Sequence, residues 1–191
     1  MSRFNQIKHP PNNTELQQIY SAALEAGFAG AEEGVPINFV TSLSERPDIL
    51  AATLGLIKTI VLQGLLPPTV KQMIAMSIAL KNKCQYCSLL HTKALESMGV
   101  PQGIIQSCAT DPEMAEVPPP QRAIVKFALK TSQDPLSVRD EELEALRDQG
   151  MSDAEIMEAA MMAACENFLN TWTRVSKIPV DWGDQASSQK I

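Results

Sequence analysis

Apolar residues recur three and four positions apart along nearly the whole chain, and alternating runs of β-branched or aromatic residues are few. That spacing keeps one side of a 3.6-residue turn apolar and predicts an all-α fold. A first helix opens at Thr14, where Thr14 and Gln17 have capping-box spacing, and closes near Gly27. Residues 35–44 carry no clear period. Residues 47–66 read as a long apolar helix closed by Pro67 and Pro68, because proline lacks a backbone donor and cannot continue a helix. Pro68 can open the next helix, 69–81, whose Val70, Met73, Ile74, Met76, Ile78 and Leu80 are numerous enough to require burial on most sides.

Residues 84–98 form a fresh helix, with Asn82 or Lys83 at its start and Gly99 just past its end. Residues 111–120 hold four prolines and make the clearest linker, dividing the chain into two helical halves that share one core. Helices follow over 120–132 and 138–149, the latter ended by Gly150. A last helix starts at Ser152, whose capping-box partner is Glu155, and runs to about 176. The expected organisation is a flexible arm (1–13), a single all-helical domain of helix hairpins (14–182) and a loose tail (183–191).

Length and charge narrow the classes. A chain of 191 residues supports one good core. A formal charge of −6 argues against nucleic acid as a partner. The polar start at 1–13 lacks the apolar run of a secretory signal, and Thr, Gly or Glu interrupts each apolar stretch well short of the roughly 20 residues that span a bilayer. A cytoplasmic protein with no membrane partner is expected.

Four cysteines in such a chain do not suggest a disulfide scaffold, because a reducing cytosol would not keep structural bridges oxidised. Their spacing carries more. On a helix turning about 100° per residue, Cys87 and His91 both lie within about 60° of Cys84, so all three project from one face. Cys87 and His91 are also four apart, a spacing at which helical side chains touch, so the imidazole can accept the thiol proton. A helix N-terminus favours the thiolate, the form that peroxide and disulfide chemistry both need. A second thiol one turn away can condense with a sulfenic acid and prevent over-oxidation.

Blander readings compete. A zinc site would need a second ligand pair at metal spacing, which the chain lacks, so no metal and no other cofactor is expected. Covalent haem is disfavoured because Ser88, not His, follows the second cysteine, and a thioredoxin-like motif is disfavoured because a helix precedes it. The cysteines could also be plain core residues. Cys108 and Cys165 have no helical partner thiol and read as buried spectators, and His9 reads as solvated. Met73, Met76, Met157, Met161 and Met162 read as adaptable packing in the core or at an interface.

The run Cys84-Gln85-Tyr86-Cys87-Ser88-Leu89-Leu90-His91, ending in Glu96-Ser97-Met98-Gly99-Val100, resembles the C-x-x-C-x-x-x-H signature of the carboxymuconolactone decarboxylase-like superfamily, which includes the AhpD-like alkyl hydroperoxidases. The segments 134–138 and 151–156, followed by Asn167-Phe168-Leu169-Asn170, resemble its peroxidase-related branch. The likeness spans about 35–182. It implies an AhpD-like helical bundle that assembles as a dimer, trimer or hexamer. It also implies a peroxide substrate and an external thiol or dithiol reductant, with Cys87 attacking, Cys84 as its partner and His91 moving protons.

Two positions depart from the hydroperoxidase relay. Gln72 stands where the resemblance places a glutamate, and Tyr86 where it places a histidine between the cysteines. Glu166, which interrupts an apolar stretch beside Asn167, is the candidate replacement carboxylate. Against it stands a helix-edge or subunit-contact role. The expected activity is alkyl hydroperoxide reduction in antioxidant defence. Its alternatives are a disulfide oxidoreductase serving another peroxidase and a non-catalytic, redox-sensing oligomeric scaffold.

Overall fold

The computed structural model describes residues 2–111, 113–114 and 116–181. The expected C-terminal tail and Trp182 lie outside that range, as do two positions of the proline-rich linker. Among the described residues the fold is all-helical, with nine α-helices and no strand beyond one antiparallel bridge between Ala29 and Pro36. The helices are α1 (Glu15–Glu25), α2 (Asn38–Thr41), α3 (Pro47–Ile57), α4 (Pro68–Lys81), α5 (Gln85–Ser97), α6 (Gln102–Thr110), α7 (Pro119–Gln133), α8 (Asp140–Asp148) and α9 (Asp153–Ser176). The described residues fall into two compact units, one of residues 2–55 and 173–181 and one within residues 56–172.

In the first unit the Thr14 hydroxyl caps α1 by accepting the Gln17 N–H at 3.2 Å. Leu16, Tyr20 and Ala23 form the buried face of that helix and share their unit with the buried side chains of Ile37, Phe39, Val40 and Leu50. The polar N-terminal arm is hydrogen-bonded to the rest of the unit. Arg3 N donates to Ser176 O at 2.8 Å, Ile7 N to the Ser44 hydroxyl at 2.9 Å, and the Tyr20 hydroxyl to Ile7 O at 2.6 Å.

The second unit is built around α4. Val70 to Ala79 are all buried, as the density of apolar residues in that segment requires. Helices α5, α6 and α7 pack against it, contributing Leu95, Ile105, Ile124, Val125 and Ala128 to the core.

The single long helix expected over 47–66 does not form. α3 passes into a π-helical turn at Lys58–Leu62, and the chain then turns at Gly64. A buried lysine and a partly exposed glutamate stabilise this departure. The Lys71 ammonium donates to Ile60 O at 2.8 Å and also meets Gln63 O and the Glu158 carboxylate, and Glu158 Oε2 accepts the Leu65 N–H at 2.6 Å. Carbonyls and an N–H that a regular helix would have paired internally are thereby satisfied.

α6 is an unexpected element. Beyond it, the helix ends agree with their sequence signals to within a residue or two. At the start of α9, Ser152 Oγ accepts the Glu155 N–H and the Glu155 carboxylate accepts the Ser152 N–H, completing the expected capping box.

Candidate active site

The corner between α4 and α5 fixes the first cysteine. α4 ends in a Schellman arrangement, with Lys83 N donating to Leu80 O at 2.9 Å and Cys84 N to Ala79 O at 2.8 Å. This requires left-handed backbone at Lys83, φ 55°, where glycine is the usual occupant and a side chain costs roughly 1–2 kcal/mol. Cys84 is the last residue of that motif and also the N-cap of α5, its carbonyl accepting the Ser88 N–H at 3.0 Å. It therefore lies just before the helix rather than in its first turn, and the ideal-helix angle to Cys87 does not apply to it. Cys87 and His91 are both within α5 and keep their four-residue relation.

All three side chains are buried, and so are Tyr86 and Gln72. Gln72, on the facing helix α4, places Oε1 2.7 Å from His91 Nδ1. An amide oxygen only accepts, so in this contact Nδ1 is the nitrogen that donates, and Nε2 faces away from Gln72. Gln72 cannot take a proton at neutral pH, but it orients the histidine.

Glu166, on α9 and 0% exposed, approaches from the other side. Its Oε2 lies 3.6 Å from His91 Nε2 and accepts from Asn170 Nδ2 at 3.2 Å. Its Oε1 has no hydrogen-bond partner among the described residues. A buried carboxylate with one oxygen unsatisfied is costly. The structure thus brings Gln72, His91 and Glu166 together in one line, with Cys87 one turn before the histidine.

The other two cysteines differ. Burial pushes the Cys108 thiol up to about 11, and burial together with the neighbouring Glu166 charge pushes Cys165 up to about 12. Both stay protonated at neutral pH, as expected of spectators. Among the described residues, no group of three or more His, Cys, Asp or Glu side chains is arranged to hold a metal ion.

Residues 47–130, which contain α4, the corner and α5, match the Carboxymuconolactone decarboxylase family. No curated protein matches the chain by sequence. Among solved structures, an uncharacterised peroxidase-related protein with an alkylhydroperoxidase AhpD core from Ralstonia eutropha JMP134 is similar at TM-score 0.77 and 24% identity, over 93% of this chain and 94% of that one. A peroxidase-related protein from Silicibacter sp. TM1040 is similar at TM-score 0.80 and 20% identity, over 93% and 91%. A Cys-to-Ala variant of the debrominase Bmp8, in complex with 2,3,4-tribromopyrrole, is similar at TM-score 0.73 and 19% identity, over 97% and 95%. At these identities the likeness establishes the fold: the chain has the AhpD-like helical architecture expected from its cysteine motif.

Proposed function

We propose that the protein is a cysteine-based alkyl hydroperoxide reductase. The observation that carries this reading is the buried Glu166 carboxylate 3.6 Å from His91 Nε2, which supplies the proton acceptor that Gln72 cannot be. Cys87 lies near the positive end of the α5 dipole and four residues before His91, so its proton passes to the imidazole and the sulfur becomes the nucleophile.

The Cys87 thiolate attacks the distal oxygen of the hydroperoxide. The O–O bond breaks, the sulfur takes the oxygen as a sulfenic acid, and the alkoxide leaves with a proton returned through His91. The Cys84 sulfur then attacks the Cys87 sulfur, the S–O bond breaks, water leaves and a Cys84–Cys87 disulfide forms. An external thiol or dithiol returns two electrons and two protons. The cycle balances without metal or organic cofactor, and it belongs in a reducing compartment such as the cytoplasm. The test is whether a stoichiometric organic hydroperoxide oxidises this pair.

The protein is also proposed to work as a homo-oligomer. Leu62, Leu65, Leu136, Met157, Met161 and Phe168, all in the second unit, are exposed large apolar side chains, and a second copy of the chain would cover such surface. A second reading, reductive removal of bromine from an aromatic ring by the same two thiols, is supported by the Bmp8 similarity over 97% of the chain. It too would end in the disulfide, with hydrogen replacing halogen on the ring and hydrogen halide released.

A further inference from the structure

The asparagines flanking Glu166 form a connected set. Asn82 Nδ2 donates to Asn167 Oδ1 at 2.8 Å and to Asn170 Oδ1 at 3.2 Å, and Asn82 Oδ1 accepts from Gln133 Nε2 at 3.1 Å. Asn167 Nδ2 donates to Ser132 O at 2.7 Å. Asn170, 1% exposed, also donates through Nδ2 to Glu166 Oε2 at 3.2 Å, the oxygen that faces His91. Asn82 is the C-cap of α4, two residues before Cys84. These side chains therefore tie three elements to one another: the corner that carries Cys84, the end of α7, and the turn of α9 that carries Glu166.

We propose that Asn82, Asn167 and Asn170 are positioning residues that lock the Cys84 corner to the Glu166 turn, so that the thiol pair, His91 and the carboxylate keep one registration. The inference rests on the thiol reading of the site. An amide N–H that donates to a carboxylate favours its charged form, and a charged Glu166 facing His91 favours transfer of the Cys87 proton to the ring. Removing Asn170 withdraws that donation directly. Removing Asn82 withdraws a donor from Asn170 Oδ1, on the same amide whose nitrogen donates to Glu166. The titratable groups around Glu166 are His91 on α5 and Cys165 beside it on α9, and the Cys165 thiol, held near 12, does not titrate in the working range. On the corner and α5, the titratable residues nearest Cys87 along the chain are Cys84, Tyr86 and His91.

The test uses Asn170→Ala and Asn82→Ala in the full chain, each checked for a cooperative unfolding transition. The Cys87 thiolate is titrated by its ultraviolet absorbance in the Cys84→Ser background, where Cys108 and Cys165 stay protonated below about pH 10. The expected result is a thiolate midpoint about one pH unit higher in both variants, and kcat for hydroperoxide with a dithiol lowered about tenfold at nearly constant KM. An unchanged midpoint in either folded variant overturns the proposal, even where stability has fallen, because a merely structural clamp would lower stability alone. If wild type consumes no peroxide while its midpoint is low and moves as described, the peroxidase reading fails and the positioning role stands.

Discussion

Oε2 of Glu166 lies 3.6 Å from Nε2 of His91, while Nδ1 of the same ring meets Gln72 Oε1 at 2.7 Å. The histidine is held by a neutral acceptor on one side and faces a carboxylate on the other. On the proposed peroxidase reading, that asymmetry suits a group that takes a proton from Cys87 and gives it back. The interaction joins α5 to α9, so the carboxylate reaches the histidine through tertiary packing and not through the local motif.

Replacing Glu166 by glutamine keeps its size and removes its charge. Disulfide formation after hydroperoxide addition should slow by about 10²-fold at neutral pH, in keeping with the loss of one acid–base group. Stopped-flow measurement of thiol loss, with an unfolding curve as control, reads this directly. A wild-type rate in Glu166→Gln would remove the carboxylate from the relay.

The spectator thiols give a stability signature. Cys108 and Cys165 titrate near 9 when unfolded and are pushed to about 11 and about 12 in the folded chain, and Tyr20 is pushed by burial from 10 to about 12. With folded values above unfolded ones, the folded state holds protons that the unfolded state has released. Their contribution is therefore full below about pH 9 and is lost as pH rises through the folded values. The urea midpoint should fall between about pH 8 and about pH 10.5, and fall less in Cys165→Ala.

The buried Lys71, paired with Glu158, holds the π-helical turn and the loop after it. Lys71→Met leaves the Glu158 charge without its partner and should cost about 3–5 kcal/mol in urea unfolding. Lys71→Met combined with Glu158→Gln should recover much of that loss, because glutamine still accepts the Leu65 N–H without a buried charge.

Self-association should depend on the exposed apolar side chains of α9. Met161→Glu and Phe168→Glu place charge at positions 47% and 48% exposed, where a folded subunit tolerates it. Sedimentation should show a smaller species for both variants than for wild type, and an unchanged mass would assign the interface elsewhere.

Local signals were legible where one residue determines one hydrogen bond, as at Thr14 and in the Ser152–Glu155 box. The cysteine motif was legible for the same reason, since Cys87 and His91 are related by one helical turn. The π-helical turn was not, because periodicity cannot register a buried lysine that captures carbonyls eleven and eight positions before it. α6 could have been found from Pro101 at its start and the spacing of Ile104, Ile105 and Cys108. Gln72 is a candidate by resemblance, and Glu166 by its charge in an apolar stretch. Which nitrogen of His91 each would meet depends on how α4, α5 and α9 pack. The asparagine clamp left no sequence signal beyond the Asn167 to Asn170 motif, because Asn82 lies far away along the chain.

The central claim is tested most directly by intact mass. Reduced protein is mixed with one equivalent of an organic hydroperoxide, alongside Cys84→Ser and Cys87→Ser. The account predicts rapid loss of two hydrogens in wild type, one added oxygen on Cys87 in Cys84→Ser, and no turnover in Cys87→Ser. Cysteines that stay reduced while the peroxide persists would contradict it, and disulfide formation with a bromopyrrole but not with peroxide would favour the dehalogenase reading.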